Sequence, residues 1–164
     1  MKLSKNFSKA ELCKSQTATR MGLNNNPTDD QTENLRLLCE RVLQPVRDHF
    51  NQVVSISSGF RDPILSQKIG SSINSQHCKG EAADLEIFGV ANNELADWIK
   101  ENLMFDQLIL EYYTPGEPNS GWVHVSYTKE INSNRKEYLM ATKNASGKTE
   151  YKQILGLSTD RYVK

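Results

Sequence analysis

With 164 residues, 37% of them hydrophobic and 24% charged, the chain can bury a core without disulfide or metal staples and fits the size of one domain. Its 20 basic and 20 acidic residues cancel, which argues against a broad nucleic-acid face or adhesion to an anionic membrane. No apolar run approaches the roughly 18 residues of a membrane span, and the opening MKLSKNFSKAELCKSQ lacks the apolar stretch of a secretory signal.

Residues 1–26 are polar and weakly patterned, a leader that Phe7, Leu12 and Met21 can anchor on the body. Thr28, with Gln31 three residues on, reads as a capping box opening a helix. Leu35, Leu38, Val42 and Val46 then form one apolar stripe at helical spacing, and Pro45 is expected to kink or end the helix. QVVSISS (52–58) alternates as a strand does. Asp62 and Pro63, followed by Gly70, bracket a short helix. Residues 82–88 read as a strand, and 92–102 as a helix turning Leu95, Trp98 and Ile99 inward. FDQLILEYY (105–113) and WVHVSYT (122–128) are rich in β-formers and flank a Pro/Gly-rich loop at 114–121. KEYLMATK, NASG and KTEYKQIL (136–155) predict a terminal hairpin. Helices come first and strands later, so the class is α+β with a small antiparallel sheet and helices on one side.

Cys13, Cys39 and Cys78 stand at wide spacings with no Cys-x-x-Cys pair, which suits synthesis in a reducing cytosol. Of the three histidines, His49 ends the long helix and reads as structural. His124 shares one strand face with Trp122 and Ser126, while Val123, Val125 and Tyr127 share the other. If the valine face packs on the core, His124 looks into a cleft or solvent. SQHCKGEAADLEI (75–87) carries His77 and Asp84 with small residues between them that could leave room for a substrate backbone. Taken singly, His77, Asp84 and His124 read as ordinary polar contacts. Taken together, two imidazoles and a carboxylate are the donor set of a catalytic zinc site with one position open. A general base is then needed: Glu111, inside an apolar strand, is the first candidate, with Asp106 and Glu86 as alternatives. Arg61, in the turn SSGFRDP, suits a carboxylate or a developing oxyanion.

SGFRDPILSQKIGSSINSQHCKGEAADLEI resembles the signature of the M15 zinc peptidases, S-G-[FY]-R followed by S-x-H-x-x-G-x-A-x-D, and WVHVSY resembles that family's third-ligand strand. The likeness covers roughly residues 35–127. It is nearest to the D-Ala-D-Ala carboxypeptidase-like branch common in bacteriophages, and the leader also resembles that of phage members. It implies a hedgehog/DD-peptidase fold in a single domain, 1–164, with 1–26 as leader and 129–164 as a hairpin extension. It further implies one Zn2+ per chain on His77, Asp84 and His124, with Arg61 binding substrate or stabilising the oxyanion. Ser75 and Trp122 join Arg61 as substrate contacts. Many members place the catalytic acid three residues before the last histidine, where this chain has Gly121. The strand FDQLI-x-E of the phage branch points instead to Glu111.

The function so implied is hydrolysis of bacterial peptidoglycan peptides by a D-Ala-D-Ala carboxypeptidase or L-Ala-D-Glu endopeptidase. The protein would be a monomeric phage lysin made in the host cytoplasm without a signal peptide, acting on the wall after release. It would bind the stem peptide and neither nucleic acid nor, stably, a membrane. The rival readings are a non-catalytic metal-containing module that binds wall or virion, and a structural tail or assembly protein.

Overall fold

A computed structural model describes residues 1–154. The leader forms two short helices, α1 (Lys9–Cys13) and α2 (Gln16–Met21), capped by the hydroxyls of Ser8 and Ser15. Phe7 and Leu12 are buried as expected, but Met21 is 47% exposed and Leu3 and Ala18 are buried instead. Helix α3 (Asp29–Leu38) opens with the full capping box between Thr28 and Gln31. It runs through a π turn (Cys39–Leu43) into α4 (Gln44–Phe50), which closes on left-handed Asn51. Leu35, Leu38, Val42 and Val46 are all fully buried. Pro45 does not end the helix. Its missing N–H and its ring conflict with a regular ladder, and the wider π turn just before it absorbs that conflict.

Strand β1 (Ser55–Ser58) is followed by α5 (Pro63–Lys68), whose Ile64 N–H donates to the Asp62 cap. A 3-10 turn (Gln76–Lys79) leads into β2 (Ala82–Glu86), and α6 (Asn92–Asn102) leads to β3 (Gln107–Glu111). β4 (Trp122–Ser126), β5 (Glu137–Lys143) and β6 (Thr149–Gln153) complete the sheet. Several strands are shorter than their sequence patterns: Val53 and Phe88 turn out to solvent, whereas Phe105, Tyr113 and Tyr127 stay buried beyond the strand ends. The terminal hairpin forms as expected, except that Leu155 lies outside the described residues.

The fold is α+β. Six strands lie in the order β1-β2-β4-β3-β5-β6, antiparallel throughout except for the parallel pair β3–β5. One face carries Ala83, Leu85, Leu108, Leu110, Val123, Val125, Tyr138 and Met140 into a core shared with α3, α4 and α6. Period-2 alternation sends Asp84, Ile109, Glu111, Trp122 and His124 to the other face. Burying the apolar rows therefore fixes the polar row, since a one-residue slip would invert both. Among the described residues no helix is long and apolar enough to cross a membrane.

Candidate metal centre

The two motifs meet through the backbone. His77 Nδ1 lies 2.8 Å from the Gly59 carbonyl, which can only accept, so Nδ1 carries the proton and Nε2 is left with its lone pair. In return the Arg61 N–H donates to the His77 carbonyl at 3.0 Å. The S-G-F-R turn thus sets the tautomer and the tilt of the histidine, as the outer partner of a metal ligand does. Ser75, expected to touch substrate, accepts from the His77 N–H at 3.2 Å and so starts the 3-10 turn, while its residue still lines the cleft.

Asp84 and His124 are direct cross-strand partners on β2 and β4. Asp84 Oδ1 lies 3.0 Å from His124 Nδ1 and 3.5 Å from His77 Nε2, and one donor atom from each of the three residues lies within 4.8 Å of the others. Arms of about 2.0–2.2 Å at a tetrahedral angle would set donors about 3.3 Å apart, so the observed spacings suit one small cation. Nitrogen, nitrogen and carboxylate oxygen are also a donor set that Zn2+ accepts. Burial acts to raise the Asp84 carboxyl, but its contacts with His124 and then His77 outweigh it. The carboxyl is held well below the usual carboxylate range and is an anion ready to ligate.

His77, Asp84 and His124 sit in a cleft of about 490 Å³ that Arg61, Ser75, Glu111 and Trp122 also line. The seven residues given a metal, catalytic or substrate role by the resemblance therefore line one cleft, and the alternative bases Asp106 and Glu86 do not. On β3, Ile109 pairs with His124 and Glu111 with Trp122, which makes Glu111 the diagonal same-face neighbour of His124. Burial, then the charge of Asp84, push the Glu111 carboxyl above its ordinary value, against a smaller opposing effect of His124. A carboxylate raised in this way is a better proton acceptor than an exposed one.

The alternative bases are engaged elsewhere. Buried Asp106 takes two side-chain bonds from Arg135 and one from Gln76, and Glu86 accepts from Asn92. Gly121 cannot be replaced by an acid in this backbone. Its φ is +66°, and a Cβ there would overlap the Glu111 carbonyl oxygen and lie 2.7 Å from the Tyr112 carbonyl carbon. The end of β3 occupies the space in which a side chain at 121 would stand.

Arg61 donates to Ser58 Oγ at 3.3 Å and enters none of the ion pairs among the described residues, which leaves most of its donors for an occupant of the cleft. Trp122 packs on Tyr112 at 5.4 Å, and its Nε1 is enclosed without a hydrogen-bond partner among the described residues. Gly80 of the ligand motif does not make room for substrate. A Cβ on left-handed Gly80 would overlap the Gln31 carbonyl oxygen, and Gln31 and Asn34 donate to the carbonyls of Cys78 and Lys79. The missing side chain at Gly80 lets α3 press on the ligand turn. Cys78 sits on that 3-10 turn, buried, with Sγ 3.7 Å from the Ser72 carbonyl. His49 stacks on Trp98 at 4.3 Å, away from the cleft.

Tyr151 on β6 also lines the cleft and is absent from the sequence-derived set. Burial and then the Glu111 charge raise its phenol above the ordinary value. Its only sequence signal is membership of the terminal hairpin, which does not say which strand the hairpin joins.

The sequence model of the family described as Peptidase M15 matches residues 5–126 of this chain. No curated protein matches it.

Proposed function

The chain belongs to the peptidase M15 family, and we propose that it is a zinc-dependent peptidase cutting the stem peptide of bacterial peptidoglycan. On this reading the bond is that of a D-Ala-D-Ala carboxypeptidase or an L-Ala-D-Glu endopeptidase, and the role is that of a monomeric phage lysin acting on the wall. The observation that carries the proposal is the row across the sheet: three candidate metal donors within 4.8 Å of one another, with a half-buried Glu111, its side chain in no hydrogen bond or ion pair among the described residues, on the adjoining strand of the same cleft.

His77 Nε2, Asp84 and His124 would hold Zn2+, which supplies a Lewis acid for the scissile carbonyl and eases ionisation of water. Glu111 accepts the proton of the attacking water and later hands it to the departing amine. Arg61 places a permanent cation beside the carbonyl oxygen as negative charge develops there. Ser75 acts through His77, holding the turn that aims it. Trp122 forms the apolar wall against which the peptide packs.

Glu111→Gln tests the assignment, because it keeps the shape and removes the base. Metal analysis should still find about one zinc per chain, while turnover of peptidoglycan peptides falls by about 10²–10⁴-fold. Unchanged turnover would remove Glu111 from the mechanism. If the wild type binds zinc and wall peptide and cuts nothing, the protein is a binding module instead.

A further inference from the structure

The cleft crosses the sheet, and its two ends differ. Arg61 follows β1 at one end, then come Asp84 on β2, His124 on β4 and Glu111 on β3, and Tyr151 stands on β6 at the other end. The register aligns Glu111, Ala141 and Tyr151 in a single row across β3, β5 and β6. Ala141 is 1% exposed and places only a methyl at the middle of that row. Tyr151 is 57% exposed, a large aromatic left partly open on the wall of the cleft. Its strand is tied to the end of β3, since the Tyr112 hydroxyl and Thr149 Oγ1 lie 2.6 Å apart and Lys143 stands over the Tyr112 ring. The segment matched by the family model stops at residue 126, so the whole β5–β6 hairpin lies beyond it.

Resting on the peptidase reading above, we propose that Tyr151 contacts the peptide on the leaving-group side of the scissile bond. Arg61 then serves the acyl side, and the hairpin selects the residue that follows the cut. The direction follows from the proton. Glu111 must reach the departing nitrogen, so that nitrogen lies toward β3, and Tyr151 is next along the row. Two strand spacings are about 10 Å, and an extended residue spans about 3.5 Å. With the reach of a tyrosine, the contact falls on the first or second residue beyond the bond. The ring covers a small side chain, and the hydroxyl donates to a carbonyl or carboxylate oxygen.

The test uses full-length zinc-loaded protein and synthetic stem peptides of two sets, one varied only after the scissile bond and one varied only before it. Tyr151→Ala should lower kcat/KM by about tenfold, mainly through KM, and flatten selectivity in the first set while leaving the second unchanged. Tyr151→Phe should retain the preference for side-chain size. Unchanged selectivity in the first set, in a variant with wild-type thermal stability, overturns the proposal, as does a change confined to the second. A wild type that cuts no peptide refutes the peptidase reading instead. Calorimetric binding of the same peptides then decides the contact by whether Tyr151→Ala weakens it.

Discussion

Gly121→Ala isolates the reason why the acid of this cleft comes from β3. Gly121 holds φ +66°, where an alanine costs about 1–2 kcal/mol. The added Cβ would also overlap the Glu111 carbonyl oxygen, a backbone atom that no side-chain rotation can clear. Relief requires the 111–112 segment to move, at about 1–3 kcal/mol more. The sum is about 2–5 kcal/mol, or a fall in Tm of about 4–20 °C at this chain length. Moving that backbone also carries Glu111 off its row, and an error of about 1 Å costs about 10²-fold in rate. Gly116→Ala is the control, since it too has positive φ (+83°) but meets nothing within 4 Å, so it bears the conformational cost alone. Urea unfolding of both variants measures the difference. If Gly121→Ala is no less stable than Gly116→Ala, the steric argument is wrong and the absence of an acid at 121 has another cause.

In metal-free protein the folded Glu111 carboxyl holds its proton more tightly than the unfolded one, whose pKa is 4.5. The folded state therefore binds more protons across that window, and the contribution of Glu111 to stability declines as pH rises through it. Glu111→Gln should accordingly raise the Tm of the metal-free protein at pH 7, with the gain vanishing below about pH 4; a gain that persists in acid would contradict the assignment. Asp106→Ala removes the acceptor of Arg135 and Gln76 and should cost about 2–4 kcal/mol in urea unfolding. It should also weaken zinc binding without abolishing it, because Gln76 adjoins His77; unaltered zinc affinity would detach that network from the site. Thr28→Ala should cost about 1 kcal/mol through the lost cap and leave kcat unchanged.

Local pattern revealed what local physics controls. The capping box at Thr28, the stripe from Leu35 to Val46 and the alternation around His124 each follow from one element burying one face, and each is present. The donor set was legible because its members fall in two short motifs, although the bonds that join them, from His77 to Gly59 and from Arg61 to His77, were not. Tyr151 was invisible for a different reason. It enters the cleft only because β5 pairs in parallel with β3, a long-range choice that no hydrophobic period encodes. Gly80 marks no room for substrate, because the neighbour filling that room, helix α3, lies far away in sequence. At Pro45 the expectation allowed either a kink or an end, and the ladder is distorted into a π turn while the helix continues.

The most direct test of the central claim is a mass-spectrometric digest of purified peptidoglycan by the full-length protein, run with chelator and with zinc restored. The account predicts a product that vanishes on chelation, returns with zinc and is absent for His77→Ala, Asp84→Ala and His124→Ala, its mass identifying the bond cut. Wild-type protein that carries stoichiometric zinc and releases nothing from several wall chemotypes, or a product indifferent to chelation, would contradict it.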